Sequence, residues 1–295
     1  MSIWSLVLET WRNTPSPVKT VATAAFGSVI GAWLTSRAQA KRRLIDELKA
    51  VRAARALCFS ISNKAMTLKG QQMRPMKQRY DEAVTAFQKH HTGLLLLSLD
   101  LQEISQLKFP GDVLERIVFE KCAIGEKALA AVVSLSGSID DLRNAIDFRN
   151  GLISEFRKKR SMMSDLERMQ LYVGAPQAEQ VDNRFAHNMA AMSSQTDDCI
   201  FFSMTLSDEL LSYSNVLRSR NKMFRSGMSK LLPIDWSIAQ QADLIPAESE
   251  YAGWLAGFKL RTTKWARFIT WIRSWFGLAH YARPAASPVR SELNI

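Results

Sequence analysis

Seventeen consecutive residues, Thr20 to Ser36, carry no charge and are bracketed by Lys19 and Arg37. The run reads T-V-A-T-A-A-F-G-S-V-I-G-A-W-L-T-S. As a helix rising 1.5 Å per residue it would extend roughly 25 Å, a little short of the roughly 30 Å hydrocarbon core of a bilayer. Lys19 and Arg37 can snorkel to cover the difference, and Trp33 suits the interface. Two other readings fit such a run. A secretory signal would lie nearer the N-terminus, whereas Trp4, Trp11, Pro15 and Pro17 precede this run. A buried core helix is the stronger alternative, because Ala, Gly, Ser and Thr make the run only moderately apolar. The reading adopted is a transmembrane helix over residues 17–36.

The flanks orient that helix. Arg37, Lys41, Arg42, Arg43, Lys49, Arg52 and Arg55 follow it, against Arg12 and Lys19 before it. An excess of bases on one side predicts a single pass, with the N-terminus outside and the long C-terminal part in the cytoplasm. Cys58, Cys122 and Cys199 stand far apart in no paired motif, which fits a reducing compartment and argues against a disulfide framework or a zinc site. Before the run, residues 1–16 set Ile3, Trp4, Leu6, Val7, Leu8 and Trp11 among only Glu9 and Arg12. That pattern predicts a short interfacial segment stopped by Pro15 and Pro17. Inside the run, Gly27 and Gly31 form a G-x-x-x-G with Ser28 alongside. Small residues at that spacing let two backbones approach, so span packing through Gly27, Ser28 and Gly31 into a homo-oligomer is an expectation.

Beyond the run the periodicity is helical throughout. Leu44, Ile45, Leu48, Val51, Ala54, Leu57, Cys58 and Ile61 recur at three- and four-residue steps, predicting an amphipathic helix to Leu68 continuous with the span. Further helices are predicted over Tyr80 to His91, over Asp112 to Ser136 after the Pro110-Gly111 break, after Gly137, and over Gln180 to Asn221 beyond the Gly174-Ala175-Pro176 turn. With no alternating strand pattern, the fold class is all-α: an N-terminal transmembrane helix continuing into an antiparallel cytoplasmic bundle over residues 37–222. Residues 223–250, holding Gly227, Pro233 and Pro246, read as a connecting segment.

The chain carries a formal net charge of +11, so its partner surface is expected to be anionic, either lipid or nucleic acid. The final region concentrates that charge. Between Tyr251 and Ser291 there is no acidic residue, while Trp254, Lys259, Lys264, Trp265, Arg267, Trp271, Arg273 and Trp275 place bases and indoles at helical spacing. Residues 251–283 therefore predict a basic Trp-rich helix lying on an anionic leaflet, followed by a flexible tail over 284–295. Crossing the membrane there would bury Arg267 and Arg273 at about 2.5–3.5 kcal/mol each.

No catalytic signature is present. The sequence lacks a phosphate-cradling glycine loop, G-x-S-x-G, H-E-x-x-H and C-x-x-C, so no catalytic, cofactor-binding or metal-ligating residue is assigned. Asp140 with Asp141 and Asp197 with Asp198 read as helix starts, and Met162, Met163, Met189 and Met192 as core. Asn144, Arg149 and Asn150 are candidates for a buried polar network. Arg157, Lys158, Lys159 and Arg160 read as the end of a helix, with a partner or nucleic-acid patch as the alternative.

The small-residue run ending A-W-L-T-S-R, the basic helix after it, and the bundle containing S-I-D-D-L-R-N-A-I-D-F-R-N-G-L-I together resemble bacterial membrane-tethered helical proteins that accompany anti-phage systems. With its size and Trp-rich basic tail, the layout from about Pro17 to Tyr281 is similar to the transmembrane effector of retron-type systems. The resemblance implies a place in the bacterial inner membrane and abortive infection by membrane damage. It also implies restraint by a reverse transcriptase with its noncoding RNA and DNA. A non-toxic membrane-tethered scaffold that recruits an acidic protein or nucleic acid is the alternative that the residues leave open.

Overall fold

Three- and four-residue spacing of apolar side chains builds the observed elements, as a computed structural model describes them for residues 15–90, 101–159, 161–174, 176–177, 180–220 and 229–258. Helix α1, Ser16–Leu68, is one element of 53 residues. Pro15 precedes it and Pro17 sits in its first turn, where a fixed φ and a missing N–H cost nothing. From Leu44 onward one face is buried, through Leu48, Val51, Ala54, Cys58, Ile61, Ala65 and Leu68. A π-helical turn, Lys69–Met73, then carries the chain through Gly70 into α2, Arg74–His90. Pro75 cannot donate the bond a regular turn requires, and the wider turn just before it is where the ladder is interrupted.

Four more helices complete the bundle: α3, Gly111–Lys121; α4, Glu126–Lys159; α5, Asp165–Val173; and α6, Arg184–Arg220. The β structure among the described residues is one antiparallel ladder of two residues a side, Pro176–Gln177 (β1) with Gln180–Val181 (β2). The fold is all-α. Residues 229–244, with the short helix α7, Ser237–Gln241, run along α1 and α2. Arg52 donates to the Ser229 carbonyl at 2.9 Å, the Phe59 and Trp236 rings lie 5.7 Å apart, and Arg74 donates to the Ala242 carbonyl at 2.8 Å. The chain divides into two compact units, the first ending at Glu248 and the second starting at Ser249. The second unit contributes helix α8, Ala252–Ala256, to the described residues.

Helix α6 is the centre of the first unit, packed against α1 on one side and α4 on the other. Phe185, Met189, Met192, Thr196, Cys199, Ser203, Leu206, Leu210 and Ser214 are all buried and follow one another at four- or three-residue steps, the spacing of a helix with a partner along its whole length. Both neighbours run antiparallel to it. Along α4 the contacts pair Lys127 with Glu209, the Ala145 carbonyl with the Asn188 amide, and Glu155 with Arg184. Along α1 they pair Glu47 with Tyr213, Arg55 with Ser207, Ser62 with Ser203 and Lys69 with Asp197. Ser62 and Ser203, both small and buried, meet directly on this seam. The serine hydroxyls share a bond of 2.7 Å, and Ser203 also donates to the Cys199 carbonyl at 2.6 Å.

Several sequence expectations are corrected. The helix expected from Asp112 to Ser136 is two, because Cys122 adopts an extended conformation after α3 and the chain turns through Gly125. Gly137 breaks nothing and lies exposed inside α4. Asp140 with Asp141 and Asp197 with Asp198 are interior to α4 and α6 rather than at helix starts; Asp140 pairs with Arg143 at 2.8 Å and Asp197 with Lys69 at 2.6 Å. Met189 and Met192 are in the core, whereas Met162 is 86% exposed in the turn between α4 and α5. Of the proposed polar network, Arg149 is buried and Asn150 clamps the backbone of Ile104 from both sides, at 3.0 and 2.9 Å, but Asn144 points outward. Among the described residues no helix is long and apolar enough to cross a membrane, contrary to the expectation for residues 17–36. The physical reason is composition: Ala, Gly, Ser and Thr supply little hydrophobicity per residue.

Helix α5 shows how local chemistry sets a boundary. Ser164 and Glu167 form a reciprocal capping box at its start, and Gly174 closes its end with φ of 76°, donating to the Gln170 carbonyl. A Cβ at Gly174 would stand 2.6 Å from the Asn183 side chain. Gly174→Ala is expected to lower stability by about 1–2 kcal/mol, from the left-handed backbone together with that contact. Urea denaturation measures it, and an unchanged midpoint would refute it.

Candidate membrane-interaction site

The first third of α1 packs against nothing in the described structure. Every side chain from Ala24 to Arg43 is exposed except Arg37, which is partly covered. Val21, Phe26, Val29, Ile30, Trp33 and Leu34 are all exposed, Phe26 at 70% and Val29 at 66%. Advanced by 100° per residue, Val29, Trp33, Phe26, Ile30 and Leu34 fall within an arc of about 140°, Val21 lies about 80° outside it, and the small residues Ala24, Gly27, Ser28, Gly31 and Thr35 occupy the opposite face. An apolar stripe of that width on a helix is ordinarily covered by protein or lipid, and among the described residues nothing covers it.

Two hydroxyls of this arm bond back to its own backbone. Ser28 donates to the Ala25 carbonyl and Thr35 to the Gly31 carbonyl, both at 2.8 Å, so each hydroxyl is satisfied within its own helix. Gly27 and Gly31 have nothing within 4 Å of where a Cβ would stand, so neither glycine is explained by packing inside one chain. At the inner end of the arm the Arg37 guanidinium lies 5.0 Å from the Trp33 ring centre, a cation–π pair. Lys41, Arg42 and Arg43 follow, all exposed, and the bundle begins at Leu44.

The remaining sequence candidates fall differently. Trp254 lies in α8 with its ring 4.7 Å from Phe258, while Lys259, Lys264, Trp265, Arg267, Trp271, Arg273 and Trp275 lie outside the described residues. So do the part of the N-terminal segment before Pro15 and the tail from residue 284. The basic run does end α4, at Lys159. Within it Arg157 pairs with Glu103 at 2.5 Å and Lys159 with Glu155 at 2.7 Å, and Lys158 is exposed; Arg160 lies outside the described residues. Two of these bases are thus already neutralised by carboxylates, which weakens the patch as an anion site.

Little else offers chemistry. A groove of about 710 Å³ runs along α2, lined by Arg74, Lys77, Asp81, Glu82 and Lys89 among others, with charges of both signs and no nucleophile beside a base. Among the described residues no three His, Cys, Asp or Glu side chains are placed to hold a metal ion. Burial pushes the Cys58 and Cys199 thiols far up, and that of Cys122 to about 11, so none supplies a thiolate at neutral pH. Burial also raises the Asp208 carboxyl, against the opposing pull of Arg55 and Lys127.

Sequence reasoning missed the polar ladder between α1 and α6. Its signal was present as Glu47, Arg55, Ser62 and Lys69, polar residues seven or eight apart that fall beside the apolar stripe of Leu48, Val51, Ala54, Cys58, Ile61 and Ala65. Such pairs fix the register of a helix seam, since a slip would leave them unpartnered. No protein-family model, no curated protein and no solved structure matches this chain.

Proposed function

We propose that this chain is a membrane-anchored helical effector of bacterial anti-phage defence, whose N-terminal arm enters the inner membrane while the bundle stays on the cytoplasmic side. The observation that carries the membrane part is the arm itself: a charge-free helix whose large apolar side chains are bare and whose Ser28 and Thr35 hydroxyls are satisfied internally. In water that surface is a liability, and in a bilayer it is a fit. A run this weakly apolar inserts with a small margin, and close pairing of arms through Gly27, Ser28 and Gly31 would add to it. The basic Trp-rich sequence after Tyr251 offers a second lipid contact of the interfacial kind.

The defence role comes from the resemblance to retron-type transmembrane effectors. In that reading a reverse transcriptase with its nucleic acid holds the bundle until infection, and release lets the arm damage the membrane. Inducing the chain alone and with its neighbouring genes, while following growth and propidium iodide uptake, tests it. Dye entry is expected on unrestrained expression and is expected to stop when the neighbouring genes are present. A chain that stays in the membrane fraction without leak under any condition, infection included, would overturn the effector role in favour of a membrane-tethered scaffold.

A further inference from the structure

Between the apolar arm and the first buried residue of the bundle, Leu44, lie seven residues reading R-A-Q-A-K-R-R. Advanced by 100° per residue, Arg37 and Lys41 share one side of the helix and Arg42 and Arg43 lie about 100° and 200° further round, so the bases ring the helix in three directions instead of lining one side. The ring is about 9 Å tall at 1.5 Å per residue, close to the depth of one headgroup layer of a bilayer. The neighbouring carboxylates are engaged elsewhere: Asp46 lies 3.5 Å from Lys49, and Glu47 accepts from the Tyr213 hydroxyl and the Ala123 amide. The part of α6 packed nearest, through Leu217 against Leu44 and Leu48, adds Arg218 and no acid.

We propose that this collar is a headgroup site for anionic phospholipid, in which Arg37, Lys41, Arg42 and Arg43 seat on lipid phosphates as the arm enters the hydrocarbon. The inference rests on the membrane reading of the arm and adds what that membrane must contain. Charge complementarity and continuity with the apolar run select lipid over nucleic acid: a duplex lies to one side of a helix, whereas a headgroup layer surrounds it. Each base near an anionic surface strengthens partitioning by about fivefold, so Lys41, Arg42 and Arg43 together supply roughly a hundredfold. The collar also sets depth, because the bundle that starts at Leu44 cannot follow it into the hydrocarbon.

The test is flotation of the full-length chain with vesicles of phosphatidylcholine alone or with about a third phosphatidylglycerol, in about 0.15 M salt. Two collar variants, Lys41→Glu with Arg42→Glu and Arg43→Glu, and the same positions changed to Gln, are compared with a control carrying Lys77→Glu and Lys89→Glu on α2. The Glu variant is expected to lose roughly a hundredfold or more on phosphatidylglycerol vesicles, the Gln variant roughly a hundredfold, and both to keep the parent's partitioning on phosphatidylcholine. The control is expected to change little. Lys41, Arg42 and Arg43 are exposed, and an unchanged thermal melt verifies that the variants fold. A loss under about threefold, or an equal loss on both vesicles, overturns the collar as a headgroup site while leaving arm insertion standing. Parent chain that floats with neither vesicle overturns both readings. If a short DNA duplex strips the parent from anionic vesicles and binds the collar variants weakly, the collar belongs to nucleic acid and the lipid assignment falls.

Discussion

Placing aspartate at both Val29 and Ile30 is expected to move the full-length chain from the membrane fraction into the supernatant. The two positions sit near the middle of the charge-free run and are exposed at 66% and 42%. An aspartate near the centre of an inserted helix costs about 2.5–3.5 kcal/mol, so the pair costs roughly 5–7 kcal/mol and lowers partitioning by more than about a thousandfold. That exceeds any margin a run of Ala, Gly, Ser and Thr can hold in reserve. Because both side chains are exposed among the described residues, the variant is expected to melt at the same temperature as the parent. Fractionation and flotation read the result directly. A double aspartate variant that remains in the membrane fraction would show that attachment does not depend on the arm and lies with the residues after Tyr251.

The exposed arm also marks where sequence reasoning ended. Its lack of charge and its basic flank were legible, because composition over seventeen residues is a local property. Whether such a run packs on its own protein is a tertiary property, and only the structure shows that Phe26, Val29 and Trp33 stay exposed among the described residues. The same division holds in the bundle. The apolar repeat from Leu44 to Ile61 identified the buried face of α1, since every residue a helix buries repeats at its own period. The break at residues 122–125 was missed because Cys122 continues the apolar stripe of α3 while its backbone leaves the helix. Gly137 misled in the opposite sense: a single glycine costs a helix only about 1 kcal/mol, and the α4 packing on both sides of it is far larger than that.

The acidic pairs failed for a related reason. Asp140 and Asp141 look like an N-terminal signal when only the helix dipole is considered. In the structure Asp140 is one turn from Arg143 on an exposed face, and a solvated ion pair of that kind is neutral toward helix position. The polar ladder on α1 was legible only in part. Arg55, Ser62 and Lys69 recur every seven residues, a repeat that was not read as a seam, and their partners Ser207, Ser203 and Asp197 lie more than a hundred residues away in the chain.

Tyr172→Ala is expected to be the most damaging single substitution in the bundle outside the long helix seams. Tyr172 has no solvent exposure, and its ring centre lies 5.4 Å from those of both Tyr80 on α2 and Phe185 on α6. Phe185 in turn meets Phe156 of α4 edge-on at 6.3 Å, so one ring on the nine-residue helix α5 ties three other helices together. Truncating a buried aromatic to alanine costs about 3–5 kcal/mol, and two ring contacts of about 0.5–1.5 kcal/mol each disappear with it. Helix α5 is too short to persist alone, so its ends at the Ser164 cap and at Gly174 are expected to loosen in the same variant. Urea denaturation with hydrogen exchange over residues 164–174 measures both effects. Phe119→Ala, half exposed on α3, is the matched control and is expected to change stability by less than about 0.5 kcal/mol. A loss below about 1 kcal/mol for Tyr172→Ala would show that α5 is held by its caps and not by the ring cluster.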